Sequence, residues 1–302
     1  MKNTIIILLV VVIIGLGLYF LIPSTSTNIE NSPEQATTTL DKFSQDEPIA
    51  QPQIDKTKTV IGKSVEGRDI TAYHYGEGKT EILFVGGIHG GYEWNTSLLA
   101  FEVMDYLKTN PEIIPANLKI TIIPVLNPDG LVTVVGTSTR FSLTDVSASQ
   151  TILNAGRFNA NEVDLNRNFD CDWQTTGTWQ NKTVSGGNKV FSEPESQAIK
   201  NYINTQKPQA VIVWYSAAGG VYSSSCHDGI LSETKELTNA YAKASGYTSN
   251  EEFDSYAITG DMVNWLAKEK APAISVLLSN HTDTDWTKNL AGIKALFEYY
   301  TK

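Results

Sequence analysis

Four short apolar runs, separated by stretches with helical spacing, set the frame of the chain. Ile82–Val85, Leu118–Leu126, Ala210–Ser216 and Ala273–Leu278 read as buried strands. Between them lie segments with apolar residues three and four apart. Asn95–Lys108 carries Leu98, Phe101, Met104 and Leu107 on one face, with Asn95 expected as N-cap. Ser192–Asn204 opens on Ser-Glu-Pro-Glu, a helix-entry signature, and Gly229–Gly246 also reads as helix. Trp286, Leu290, Ile293, Phe297 and Tyr300 form the stripe of a closing helix. Strands alternating with helices predict the α/β class, with Thr59–Tyr75 as an edge hairpin.

The N-terminus departs from this pattern. Ile5–Ile22 is an uncharged run of 18 residues between Lys2 and Pro23, just long enough for a transmembrane helix. It predicts a signal anchor over residues 1–23, with the rest outside the cytoplasm; a cleaved signal peptide is the rival and would make the protein secreted. Residues 24–57 turn to Ser, Thr, Asn, Gln, acids and Pro, a composition that cannot offset ordering entropy, and read as a disordered tether. Residues 58–302 remain for one domain. With 23 basic and 33 acidic side chains, net charge −10, nucleic acid is not an expected partner. Cys171 and Cys226 are expected to pair as a disulfide in an exported domain. As thiol ligands or a nucleophile they would lack a CxxC partner or an activating base.

The first strand leads into Gly-Gly-Ile-His-Gly-Gly-Tyr-Glu, where glycines free the backbone to turn and present His89 and Glu93 at the strand's end. The ends of parallel strands are where α/β sheets keep their chemistry. An imidazole and a carboxylate on one turn suit zinc, but a catalytic zinc needs a third protein ligand. Further on, Asn127-Pro128-Asp129-Gly130 reads as a turn. A long excursion, Thr137–Asn161, carries Arg140 and Arg157 and leads to Val163-Asp164-Leu165-Asn166-Arg167-Asn168-Phe169. A guanidinium fork matches a carboxylate bidentately and stabilises an oxyanion.

Gly-Ile-His with its nearby Glu, then Asn-Pro-Asp-Gly, then Val-Asp-Leu-Asn-Arg-Asn-Phe, in this order, resembles the zinc carboxypeptidases of the M14 family from about Gly62 to the C-terminus. The resemblance implies a three-layer α/β/α domain with a mixed, mostly parallel sheet. It implies zinc held by His89 and Glu93, and a substrate carboxylate held by Asn166 and Arg167. Arg157 is a better match than Arg140 for the arginine that polarises the scissile carbonyl. Tyr256 corresponds to a mobile capping tyrosine, and Val263 falls near the side-chain pocket, suggesting an apolar floor.

The same resemblance exposes departures. Where the family has its third zinc ligand, a histidine before serine, this chain has Tyr215. Where it has the glutamate that activates water, the chain has Leu277, and no carboxylate lies between Lys270 and Asp283. Three residues rather than two separate His89 from Glu93. The expected function is a membrane-anchored module that grips peptide C-terminal carboxylates, catalytically impaired or inactive, with zinc weakened or absent. The alternative is a working carboxypeptidase acting on cell-wall or secreted peptides, with His227 or His281 as substitute ligand. His74, in the edge hairpin, has no claim.

Overall fold

The computed structural model describes residues 55–302. The expected anchor and most of the tether lie outside them, and no helix among the described residues is long and apolar enough to cross a membrane.

The strands are β1 (Lys58–Lys63), β2 (Asp69–Tyr75), β3 (Thr80–Val85), β4 (Leu118–Ile123), β5 (Thr176–Trp179), β6 (Lys182–Ser185), β7 (Ala210–Ser216), β8 (Gly220–Ser223), β9 (Thr248–Asn250) and β10 (Ala273–Leu278). Eight of them form one sheet in the order β1-β2-β4-β3-β7-β10-β8-β9, and β5 pairs with β6 in a separate hairpin. The central strands β4, β3, β7 and β10 run parallel; β2 and β8 join them antiparallel, β1 pairs antiparallel with β2, and β9 pairs parallel with β8. The sheet is therefore mixed. β7 is buried at every position, the reason its sequence is a continuous apolar run rather than an alternation.

Helices cover both faces. On one side α1 (Trp94–Thr109), α2 (Pro128–Val135), α5 (Ser232–Ser245) and α7 (Trp286–Tyr299) pack around Phe84, Trp214 and Val276. On the other, α4 (Pro194–Gln206) and α6 (Met262–Lys268) pack around Leu83, Val213 and Phe169. The short helix α3 (Gln150–Ala155) sits in the long excursion. Each fully buried Ile or Leu here contributes about 1.5–3 kcal/mol relative to exposure.

Two local expectations are corrected. Asn95 is not the N-cap of α1; Glu93 occupies that position without a side-chain bond. The Asn95 amide is committed to the carbonyls of Asn280 and Asp283. Asn127-Pro-Asp-Gly is not a free turn but the start of α2, with Asn127 Oδ1 accepting from Gly130 N at 2.9 Å. Asn at the cap and Pro at the first helical position favour that outcome.

Candidate functional site

The C-terminal ends of β3, β7 and β10 open onto a cavity of about 700 Å³. His89, Glu93, Tyr215 and Leu277 all line it, as do Arg157, Asn166, Arg167, Tyr256 and Val263. Residues up to 192 positions apart in sequence, His89 to His281, thus meet where strand ends leave a crevice. A larger cavity of about 1090 Å³ lies elsewhere, beside β2 and α1, and takes in Arg140 and His74. Arg140 is instead paired bidentately with Asp105 at 2.7 Å, so of these two arginines it is Arg157 that lines the cleft.

His89 reaches its place through the glycine turn after β3. Gly90 has φ +47°, and a Cβ there would lie 2.5 Å from the carbonyl oxygen of Gly156. His89 Nδ1 stands 2.9 Å from Glu93 Oε1. Among the described residues neither His89 nitrogen finds a hydrogen-bond partner of good geometry, nor does Glu93 Oε2, although all are buried. Two donors with lone pairs converging and no partners are what a cation site leaves behind.

The third position does not match. Tyr215 Oη donates to Asn166 Oδ1 at 3.3 Å. Burial, with the negative charges of Asp261 and Glu93 nearby, pushes its phenol well above the ordinary range, so the hydroxyl keeps its proton. Leu277 pairs in register with Tyr215 on the neighbouring parallel strand, so the two side chains stand next to each other on one face of the sheet. Among the described residues, the one group of three His, Cys, Asp or Glu side chains close enough to share an ion is Cys171, Cys226 and His227. Its sulfurs are joined in a disulfide with Cα atoms 6.2 Å apart. Among the described residues, no third His, Cys, Asp or Glu groups with His89 and Glu93 in this way, whereas a catalytic zinc takes three protein ligands. The candidate substitutes part company: His227 is exposed and 3.1 Å from Asp172, whereas His281 lines the cleft.

The cationic groups are held by a network the sequence did not reveal. Asp164 is fully buried; its Oδ2 accepts from Arg157 Nε and lies 2.9 Å from Nη2, and its Oδ1 lies 3.6 Å from His89 Nε2. Burial alone would raise the Asp164 carboxyl, but Arg157, Arg167 and His89 outweigh it and hold it below its usual value. The Arg157 guanidinium stacks on Trp179 at 4.7 Å, on the β5–β6 hairpin. Arg167 donates from Nη1 to Asn166 O and from Nη2 to Thr178 O, both at 2.6 Å, while its buried Nε has no partner. Gly177 is required there, since a Cβ would fall 2.6 Å from Arg167 Cδ. Asn166 Oδ1 also accepts from Met262 N, and its Nδ2 donates to Asp261 Oδ2 at 2.9 Å. Asp261 caps α6 through Asn264 N, and burial raises its carboxyl despite that bond.

The Tyr256 ring lies 5.9 Å from the Arg167 guanidinium carbon and lines the cleft. Val263 is joined by Ser223, Ser225, Asn264 and Ser275, so the expected apolar floor is in fact mixed. Asp164 lay within the tract that carried the resemblance and could have been found as a carboxylate two positions from Asn166. Asp261 and Trp179 carried no signal, because their partners are distant in sequence.

The sequence profile of the zinc carboxypeptidase family, Peptidase M14, matches residues 41–301. The chain is 27% identical over 227 residues to a zinc carboxypeptidase of Simulium vittatum, covering 68% of this chain and 72% of that protein. It is 29% identical over 190 residues to the human carboxypeptidase N catalytic chain, covering 57% of this chain but only 37% of that one. Bovine thrombin-activatable fibrinolysis inhibitor, solved in complex with tick carboxypeptidase inhibitor, superposes with a TM-score of 0.65 at 17% identity, over 81% of this chain and 90% of that chain. Murein-tripeptide amidase from Escherichia coli O157 superposes at 0.57 with 18% identity, over 82% and 93%. The structural likenesses show a shared fold, and the profile, spanning most of the sequence, shows that the chain belongs to the zinc carboxypeptidase family.

Proposed function

We propose that this chain is a membrane-anchored, extracytoplasmic member of the family that binds peptide C-termini and does not hydrolyse them. The observation that carries this reading is the in-register pair Tyr215 and Leu277, a protonated phenol and an alkyl group facing the cleft where a ligand and a general base would be needed. Positioned general bases contribute about 10²- to 10⁴-fold to such reactions, so the deficit is large.

The groups suited to an anion remain. Arg167 Nε lacks a partner, Asn166 retains a free amide hydrogen, and Arg157 Nη1 is not committed to Asp164. Together they supply donors for a carboxylate, with Tyr256 above. The apolar run Ile5–Ile22 supports the anchor.

The second reading, an active zinc carboxypeptidase, is favoured by the unpartnered His89 nitrogens and Glu93 Oε2. One experiment separates the two: zinc content, peptide calorimetry and C-terminal hydrolysis on the full chain purified in detergent without chelator. Peptide binding with little zinc and no turnover supports the first reading. Stoichiometric zinc with turnover replaces it with the second.

A further inference from the structure

The imidazole of His281, which follows β10, is half-buried and lines the cleft beside Tyr92. Its neighbours decide which ring nitrogen carries the proton, and the order is set from the far end. Asn95 Nδ2 donates to Asn280 O at 2.8 Å and Asp283 O at 2.9 Å. Both amide hydrogens are spent, so Asn95 Oδ1 faces the other way, toward Ser216 Oγ at 3.1 Å. An amide oxygen only accepts, so the single Ser216 hydroxyl hydrogen goes to Asn95. Ser216 Oγ then offers only lone pairs to His281 Nδ1, 2.9 Å away. His281 Nδ1 is therefore the protonated nitrogen, and in the neutral ring Nε2 is a bare acceptor.

Nε2 is only loosely engaged. Among the described residues its one hydrogen-bonding partner is Tyr92 Oη at 3.5 Å, which also receives a bond from Gln180 Nε2 at 3.4 Å; both are long for such bonds. Burial lowers the His281 pKa, and His89 and Arg157 add to this against the opposing pull of Glu93. The ring is thus neutral near pH 7.

We propose that His281 Nε2 is a prepared acceptor for a backbone N–H of a bound peptide, fixed in that tautomer by Ser216 and Asn95. The inference rests on the reading of the cleft as a peptide site and narrows its ligand to one that offers an amide N–H at this wall as well as a carboxylate. Ser216 and Asn95 are positioning residues that act through the ring. Without the Ser216 acceptor, the imidazole would revert to the Nε2–H tautomer and present a donor to a donor.

The test is nitrogen NMR at pH 8 on full chain labelled at histidine, with His281 assigned through His281→Phe, and calorimetry with acetyl-Gly-Gly-Leu and its three singly N-methylated forms. The expected result is a protonated Nδ1 and an unprotonated Nε2 in the wild type, reversed in Ser216→Ala. The peptide should shift the Nε2 resonance. Methylation of one of its amides should abolish that shift and weaken binding about 2- to 10-fold, the worth of one hydrogen bond. His281→Phe should bind that methylated form and the parent peptide equally. A wild type in the Nε2–H form overturns the proposal, as does an unmoved Nε2 when calorimetry shows the peptide bound. The expected tautomer with no peptide binding at all overturns the peptide reading of the cleft, and the assigned ligand with it.

Discussion

Replacing Tyr215 by His and Leu277 by Glu together places an imidazole and a carboxylate on adjacent, in-register positions of β7 and β10, facing the His89–Glu93 pair. The change removes a buried phenol and its bond to Asn166, so the metal-free double variant should be less stable by about 2–4 kcal/mol. Zinc reverses the sign. A metal that binds only the folded state, at 100 times its Kd, adds about 2.7 kcal/mol. For a domain of this size each kcal/mol moves the midpoint about 2–4 °C, giving a rise of roughly 5–10 °C across a zinc titration. A wild type whose Kd is no lower than the zinc concentration gains about 0.4 kcal/mol, less than about 2 °C. Scanning calorimetry against zinc reads both, with hydrolysis of a C-terminal peptide on the same samples. Tyr215→His alone should recover metal yet hydrolyse about 10²- to 10⁴-fold more slowly than the double variant. Equal rises in wild type and double variant, or none in either, would refute the reasoning.

Three further outcomes follow from the structure. Asp164→Asn leaves the buried Arg157 guanidinium without its counter-charge and should cost about 3–5 kcal/mol in urea unfolding; a loss under about 1 kcal/mol would mean the pair is not the brace described. Removing the Cys171–Cys226 link, which closes 55 positions of sequence, should cost about 4 kcal/mol by loop-closure entropy, read as the difference between wild type and the Cys171→Ala, Cys226→Ala variant. Burial lowers the folded pKa of both His281 and His74. Below their usual value of about 6.5 the unfolded chain binds more protons, so their contribution is present above that pH and is lost as pH falls through the folded values. Stability should therefore rise with pH from about 5 to 7, and His281→Phe should flatten part of that slope; an unchanged slope would show that the ring is not held neutral by the fold.

The parts of the fold most legible in sequence were those whose environment was uniform. β7 and β10 were expected and found over the same residues, Ala210–Ser216 and Ala273–Leu278, because strands at the middle of a sheet covered on both sides leave unbroken apolar runs. The β5–β6 hairpin, β8 and β9 went unread: they are three or four residues long and hydroxyl-rich, too short to show a period. In the cleft, His89, Glu93, Arg157, Asn166, Arg167 and Tyr256 converge on one cavity. What holds them was illegible, since the bonds from Asn166 to Asp261 and from Ser216 to Asn95 span 95 and 121 positions. Asn95 was misread for that reason: a local rule assigned it a cap, and a distant pair of carbonyls claimed it instead.

The β5–β6 hairpin also bears on when the cleft is intact. It lies outside the eight-stranded sheet, yet Thr178 O accepts from Arg167 Nη2 and Trp179 roofs Arg157. The cationic wall is thus complete only while this small, polar hairpin is docked. Such a piece can open as a local unit while the core stays closed. Amides of the hairpin should exchange with solvent well before those of β7, and the cleft would then lose and regain its grip on an anion within a continuously folded molecule.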